Sequence, residues 1–383
     1  MTTLYLIRHA EAEGNLYRRI HGWYDALITD NGFRQIQALE ERFRDIPVDA
    51  VYTSGLYRTM TTARAVYVPK GLEPRIDPDL REIHMGDWED LPFGEAYFRF
   101  PEEMGRFNRS DPAWKAPNGE GFLDAGRRME GAVRRIAQRH PDQTVAIFSH
   151  GTTIRLLLGQ VKGTLPQELH TLSHSDNTAV TCLTYEDGIF RLVFESDNSH
   201  LTEEISTLAQ QFWWRQGGKA SDVNLWYRPA RWPEERELYR NARQEAWTCT
   251  HINGPEFLAE GFLQDVETHL GHSPWGLTVA MAGEEIAGLL QLDTQRYRED
   301  GAGYIPFCYV DPSRREQSLG VQLIGQAVAF FRPLGRDKLR LRCAPYNDRA
   351  QHFYGKYGFV KVGEEQGGRV PLDILEKYIG YER

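Results

Sequence analysis

Short apolar runs that stop abruptly at polar, chemically active residues recur along the chain. Leu4-Tyr5-Leu6-Ile7 reads as a buried strand running straight into Arg8-His9, and Val145-Ala146-Ile147-Phe148 does the same before Ser149-His150-Gly151. Residues 48–52 form a further short strand, which ends in Thr53-Ser54-Gly55-Leu56-Tyr57-Arg58. Helical spacing follows each strand. Gln35, Ile36, Leu39 and Phe43 recur behind a Thr29 or Asp30 cap, a Thr- and Ala-rich helix opens at Arg58, and further helices cover about 123–139 and begin at 153–158. Residues 178–185 and 190–195 read as a hairpin around Glu186-Asp187-Gly188. Strands alternating with helices predict an α/β fold, in which ligands collect at the carboxyl ends of strands. Residues 92–120, rich in Pro, Gly, aromatic and charged residues, predict an irregular excursion of the kind that forms a lid.

The pattern restarts at Leu225. A short strand is followed by helices around 234–247 and 255–270, then by strands at 276–282 and 285–292 about Gly283-Glu284. The next strand, 303–310, contains Pro306, which predicts a bulge or an interrupted ladder. After it comes Asp311-Pro312-Ser313-Arg314-Arg315-Glu316-Gln317-Ser318-Leu319-Gly320-Val321-Gln322, then Leu323, Ala327, Val328 and Phe331 at helical spacing until Pro333. A strand, a loop containing Arg and Gly, and a helix opening at that loop suit a pyrophosphate. Residues 339–343 are one more strand, with Asn347 and Tyr354 beyond it.

The expected domains are 1–203, a helical segment and linker at 204–223, and 224–383. The linker itself is Gln216-Gly217-Gly218-Lys219-Ala220-Ser221-Asp222, preceded by Phe212-Trp213-Trp214, which reads either as a dock between domains or as a packed helix end. A length of 383 residues also implies more than one core. A net charge of -9 argues against nucleic acid or an anionic membrane as partner and leaves small anions to local basic sites. Cys182, Cys249, Cys308 and Cys343 are too scattered for a disulfide framework or a structural metal site. No stretch is apolar enough for a signal peptide or a membrane span, so a cytoplasmic location is expected.

An Arg-His pair in a loop carries no chemistry by itself; the set does. Arg8-His9, Asn15, Asp25-x-x-Leu27-x-Thr29-x-x-Gly32-x-x-Gln35, Ser54, Arg58, Leu80-x-Glu82, Gly86-x-Trp88-Glu89, Gly119-Glu120 and Ser149-His150-Gly151 resemble the histidine phosphatase (phosphoglycerate mutase-like) superfamily. The resemblance implies a three-layer α/β/α domain acting on a small phosphorylated metabolite. His9 would be the nucleophile that becomes phosphohistidine, Arg8, Arg58, His150 and Asn15 would hold the phosphoryl group, and Glu82 would protonate the leaving alkoxide. The chemistry fits the residue types, since a neutral imidazole can attack phosphorus while cations and N–H donors hold its oxygens. Ala10, Asp90 and Gly121 depart from the family pattern, which has glycine at the first two positions and serine at the third. The mutase branch's additional basic cluster after the acid does not align, which favours hydrolysis over phosphoryl shuttling.

The second half, with Gln317-x-x-Gly320-x-Gln322, Asn347 and Phe353-Tyr354-Gly355-Lys356-Tyr357-Gly358-Phe359, resembles the GNAT acetyltransferases, a mixed α/β fold. A small residue is usual where Gln322 stands. The resemblance implies acetyl-CoA as cosubstrate and an amine as acceptor. Phe307, Cys308 and Val310 would flank the pantetheine, Arg315, Gln317, Ser318, Leu319, Gly320, Val321 and Gln322 the pyrophosphate, Asn347 would contact the cofactor, and Tyr354 would be the acid. Glu284, Glu285 and water are all open as the base. No metal site is expected. His84, His140, His170 and His174 read as surface or packing residues, and Arg127, Arg128, Arg134, Arg135 and Arg139 as a solvated helix face. A bifunctional enzyme is the expectation; the alternatives are a phosphatase with an acetyl-CoA-sensing domain, a mutase-type phosphotransferase, and a catalytically silent interaction protein.

Overall fold

The computed structural model describes residues 1–211, 223–251, 254–367 and 370–381. Its chain divides into two units, Met1–Leu91 with Arg99–Asp222, and Pro92–Phe98 with Val223–Arg383. The linker read at 216–222 and the run Phe212-Trp213-Trp214 lie outside the described residues.

In chain order the first part contains β1 (Thr2–Arg8), α1 (Glu13–Tyr17), α2 (Asp30–Phe43), β2 (Ala50–Thr53), α3 (Tyr57–Tyr67), β3 (Pro74–Ile76), α4 (Phe93–Arg99), α5 (Pro101–Asn108), α6 (Phe122–Arg139), β4 (Thr144–Ser149), α7 (Gly151–Lys162), β5 (Val180–Glu186), β6 (Ile189–Asp197) and α8 (Thr207–Gln210). The sheet order is β3-β2-β4-β1-β5-β6. Side chains alternate across it. Leu4, Leu6, Val145 and Ile147 face Met129, Val133 and Leu157 of α6 and α7, whereas Ile7, Val51 and Phe148 face Leu39, Phe43 and Val66 of α2 and α3. This makes the three layers. β1 and β4 are parallel neighbours, with Arg8 opposite Ser149, so His9 and His150 both stand one residue past the paired ends. β2 lies on the other side of β4, Thr53 opposite Phe148, and brings Ser54 alongside.

Residues 92–120 are irregular only in their last part, 109–120; the first part is helical. Helices α4 and α5 occupy 93–99 and 101–108; Pro101 sits in the first turn of α5, where no amide partner is needed, and Met104 is buried. Buried Trp114 then packs against Phe107, Phe122 and Trp88 at ring distances of 4.9, 5.0 and 5.7 Å. The helical segment expected within 204–223 is reduced to α8 in the described part. β3 went unread because three residues that begin with Pro74 carry no periodicity.

The second unit has β7 (Trp226–Pro229), α9 (Arg236–Thr250), α10 (Ala259–His272), β8 (Leu277–Ala282), β9 (Glu285–Asp293), β10 (Ala302–Val310), α11 (Leu319–Phe331), β11 (Lys338–Cys343), α12 (Asp348–Lys356), β12 (Val360–Gln366) and β13 (Pro371–Tyr378). Its sheet runs β12-β13-β11-β10-β9-β8-β7. β10 and β11 are parallel, but their ladder stops at Ile305 opposite Leu341, and the β10–β9 register slips between Tyr304 and Phe307. Pro306, which has no N–H to give, sits at that break. Beyond it β10 has an open edge on the β11 side.

One backbone approach in the first unit admits no side chain. Gly86 has φ +52, and a Cβ there would lie 1.9 Å from the Pro117 carbonyl, which accepts the Asp87 amide. Gly86→Ala is expected to destabilise the protein by about 2–4 kcal/mol in urea unfolding. Gly71→Ala, at φ +63 with open space around it, should cost only about 1 kcal/mol; equal losses would contradict the crowding argument.

Candidate active sites

At the carboxyl edge of the first sheet four predicted residues meet. The His9 and His150 rings lie 5.2 Å apart, centroid to centroid. His9 Nδ1–H donates to the Ala10 carbonyl at 2.7 Å, which fixes the neutral tautomer and leaves the Nε2 lone pair uncommitted. His150, fully buried, meets Ser54 Oγ through Nε2 at 2.9 Å, and its Nδ1 is buried without a partner. Arg8 donates to the Ser175 carbonyl at 2.5 Å, while its Nε is likewise buried without a partner. Arg58, 1% exposed, spans the Tyr24 and Gly22 carbonyls at 2.9 and 2.7 Å.

Burial and mutual repulsion shape the charges. Both imidazoles are held well below the ordinary 6.5 by desolvation first and then by Arg58 and Arg8. Burial also pushes the Arg58 guanidinium down to about 10, and Glu82 is foremost among the acids that oppose that shift. Such a pocket holds two neutral imidazoles and two desolvated cations, with a buried, unpartnered nitrogen on each of Arg8 and His150. An anion with several acceptor oxygens complements it.

Glu82 is at the same edge. Its oxygens accept the Ile83, Thr153 and Thr152 amides at 2.9, 3.1 and 3.0 Å, so it sits over the free first turn of α7. Asn15 accepts the Ala12 amide at 3.0 Å, and Asn177, which donates to the His9 carbonyl at 2.9 Å, stands 3.4 Å from its Oδ1.

In the second unit Tyr354 lies beside Cys308 on β10, and burial next to that thiol raises its hydroxyl well above the ordinary 10. The Cys308 thiol is itself pushed up to about 12 by burial. Phe307 packs inward against Tyr239, so only its backbone belongs to the open edge that continues through Val310. Arg315 donates to the Val310 carbonyl at 3.1 Å and pairs with Glu245 at 2.6 Å. Gln317 reaches the Ser313 carbonyl at 3.5 Å. Ser318, at φ +56, opens α11 without a side-chain cap, which leaves the amides of Leu319, Gly320 and Val321 without the usual capping oxygen. A Cβ on Gly320 would meet the Phe353 ring at 2.7 Å. Gln322 neither crowds this loop nor turns to solvent: it is buried, accepts the Leu225 amide at 2.9 Å and donates to the Val223 carbonyl at 2.8 Å. Asn347 caps α12 and donates to Thr250 at 3.1 Å. Glu284 is exposed, and Glu285 is paired with Arg314. The residues present therefore fit acetyl-CoA, with an open strand edge, an uncapped helix start and a protonated tyrosine.

Residues 4–198, half of the chain, match the histidine phosphatase superfamily (branch 1). The chain belongs to that superfamily. Residues 229–359 match the acetyltransferase (GNAT) family, which makes the second unit a GNAT domain. The probable phosphoglycerate mutase GpmB of Yersinia pestis is 28% identical over 188 residues, 49% of this chain and 87% of that protein, and its Yersinia pseudotuberculosis counterpart matches to the same extent. Among solved structures, Bacillus stearothermophilus YhfR is similar with a TM-score of 0.51 and 34% identity, covering 52% of this chain and 99% of that one.

Two residues that brace this edge had no structural role assigned from the sequence, although Glu89 falls within the Gly86-x-Trp88-Glu89 motif. Glu89 accepts four amides, those of Gly22, Trp23, Tyr24 and Met85, at 2.7–3.1 Å, and so holds the loop whose carbonyls bind Arg58. Arg128 is not part of a solvated face. It pairs with Glu120 at 2.7 Å and donates to the Asp79, Arg81 and Glu82 carbonyls, fixing the segment that carries Glu82. Among the histidines read as surface or packing residues, His140 is buried against Tyr52 and His84 packs tilted against Trp23. The departures also have causes. Asp90 takes a left-handed φ of +59, where glycine is unstrained, and compensates by pairing with Arg19 at 2.7 Å and His21 at 3.2 Å. Gly121 caps α6 without a side-chain bond, where serine would supply one.

Buried neutral imidazoles make stability pH-dependent. Below pH 6.5 the unfolded chain binds protons that folded His9 and His150 refuse, so stability is complete above that value and falls beneath it. The expected slope is about 1.4 kcal/mol per pH unit for each imidazole. Urea unfolding from pH 7.5 to 5 should show His150→Asn shallower by one such increment; an unchanged slope would mean that His150 is charged in the folded protein.

Proposed function

We propose that this chain is a bifunctional enzyme that hydrolyses a phosphomonoester through a phosphohistidine and transfers acetyl from acetyl-CoA to an amine. The observation that carries the first activity is the uncommitted His9 Nε2 beside two buried, unpartnered nitrogens, Arg8 Nε and His150 Nδ1. In this reading His9 Nε2 attacks phosphorus in line, the N–P bond forms as the ester P–O bond breaks, and Glu82 supplies the proton to the departing alkoxide. Arg8, Arg58 and His150, with Asn15 beside them, hold the equatorial oxygens as charge moves. Water then attacks the phosphohistidine, Glu82 takes its proton, and inorganic phosphate leaves His9 neutral.

For the second activity, the support is the open β10 edge next to Tyr354. Acetyl-CoA would supply the acetyl group. The edge from Phe307 through Cys308 to Val310 would pair its pantetheine, and the loop and helix start from Arg315 to Gln322 would take its pyrophosphate. Asn347 would contact the cosubstrate. The Tyr354 hydroxyl, protonated at neutral pH, would give its proton to the thiolate.

An aryl phosphate assay tests the first activity. Wild-type protein should turn over, and His9→Ala should lose about a thousandfold or more, whereas equal rates would reject the phosphatase. Thiol release from acetyl-CoA across an amine panel tests the second. Tyr354→Phe should lower kcat and leave acetyl-CoA binding by calorimetry unchanged; binding without thiol release from any amine would make the domain a sensor.

A further inference from the structure

Arg155 is a cation held inside the first unit with no acid to pair with among the described residues. It is the fifth residue of α7 and only 9% exposed. Its Nη2 donates to the Ser110 hydroxyl at 2.5 Å, its Nη1 meets the exposed His174 ring at 3.2 Å, and its Nε is buried without a partner. Burying a guanidinium among such partners is costly unless an anion completes the site. The acid that acts on it is Glu82, which acts on Arg8 and Arg58 as well. Arg8 also has Asp176, and Arg58 also has Asp25 and Glu89, whereas Glu82 is the one acid acting on Arg155 among the described residues. Arg8 and Arg58 belong to the pocket around His9, so the third cation exceeds what a single phosphoryl group uses.

Its position indicates where a further anion would fall. Glu82 is fixed by the amides of Thr152 and Thr153, less than one turn before Arg155 on the same helix. If Glu82 protonates the leaving oxygen, Arg155 lies on the alcohol side of the ester. Ser110 comes from the loop after α5 and is itself fully buried, so the segment read as a lid supplies the hydroxyl beside this cation.

We propose that Arg155, with Ser110, forms a second anion subsite that takes a carboxylate or a second phosphate carried on the alcohol part of the substrate. The proposal rests on the phosphatase reading of His9 and narrows its substrates to phosphomonoesters with an anionic leaving group.

Three matched probes test it: ethylene glycol monophosphate, which is neutral on the alcohol side, 2-phosphoglycolate, which carries a carboxylate there, and ethylene glycol bisphosphate. Wild-type kcat/KM should favour at least one of the two anionic esters over the neutral one by about thirtyfold or more, and which one is favoured distinguishes carboxylate from phosphate. Arg155→Gln should bring that ratio close to one while leaving the neutral ester within about threefold, and Arg155→Lys should restore part of it. A wild-type ratio near one, or a uniform loss on all three esters in Arg155→Gln, would overturn the subsite in favour of a structural arginine. Should Arg155→Gln fail to fold, the Arg155→Lys and wild-type ratios decide by the same criteria. If no ester turns over, the phosphatase reading fails separately. Calorimetry of the same probes on wild-type protein then decides the subsite, with a tenfold preference for an anionic probe supporting it and equal affinities overturning it.

Discussion

Positive charge kept out of water at the ends of β1 and β4 is the constraint from which the first unit is built. Arg58 is bound to two backbone carbonyls, and Arg8 to one. Neutral oxygens offset only part of the desolvation of a guanidinium, so the protein must hold those carbonyls rigidly. Glu89 does this by gathering four amides, three of them from the loop that faces Arg58. On the far side, Asp176 accepts the Asn177 and Leu208 amides together with the Asn198 and Ser206 side chains, and thereby fixes the turn whose Ser175 carbonyl receives Arg8. The acids are thus one step removed from the cations, and the cations keep N–H groups for an anion.

The second unit reaches an open site by a different route. Its sheet is continuous until Pro306 removes a donor and the β10–β11 ladder ends. The gap opens the β11 side of β10 beside a tyrosine kept protonated by burial. Gln322 shows how a departure from a family pattern is absorbed: the long side chain turns away from the loop and becomes the anchor for Val223 and Leu225 at the start of the domain.

What the sequence made legible is whatever depends on local order. An apolar run followed by Arg8-His9 or by His150 announces a strand end, and Pro306 announces a broken ladder, because periodicity and missing donors act over a few residues. The roles of Glu89 and Arg128 were not legible. Each acts on backbone groups tens of residues away, and nothing in a helix bearing five arginines says which one is turned inward against Glu120. The helical part of 92–120 was misread for a related reason: α5 buries Met104 and is followed by buried Trp114, while Pro101 and Gly105 dominate its local signal. Tertiary burial overrode local propensity there.

The account stands on His9 Nε2 as the atom that receives phosphorus. Rapid quenching of the wild-type protein during turnover of an aryl phosphate, followed by phosphorus NMR and peptide mapping of the denatured chain, measures this directly. An acid-labile, base-stable phosphoramidate on His9 is the predicted result. Turnover with no phosphorus on His9 at any quench time, or with phosphorus on another side chain, would contradict it.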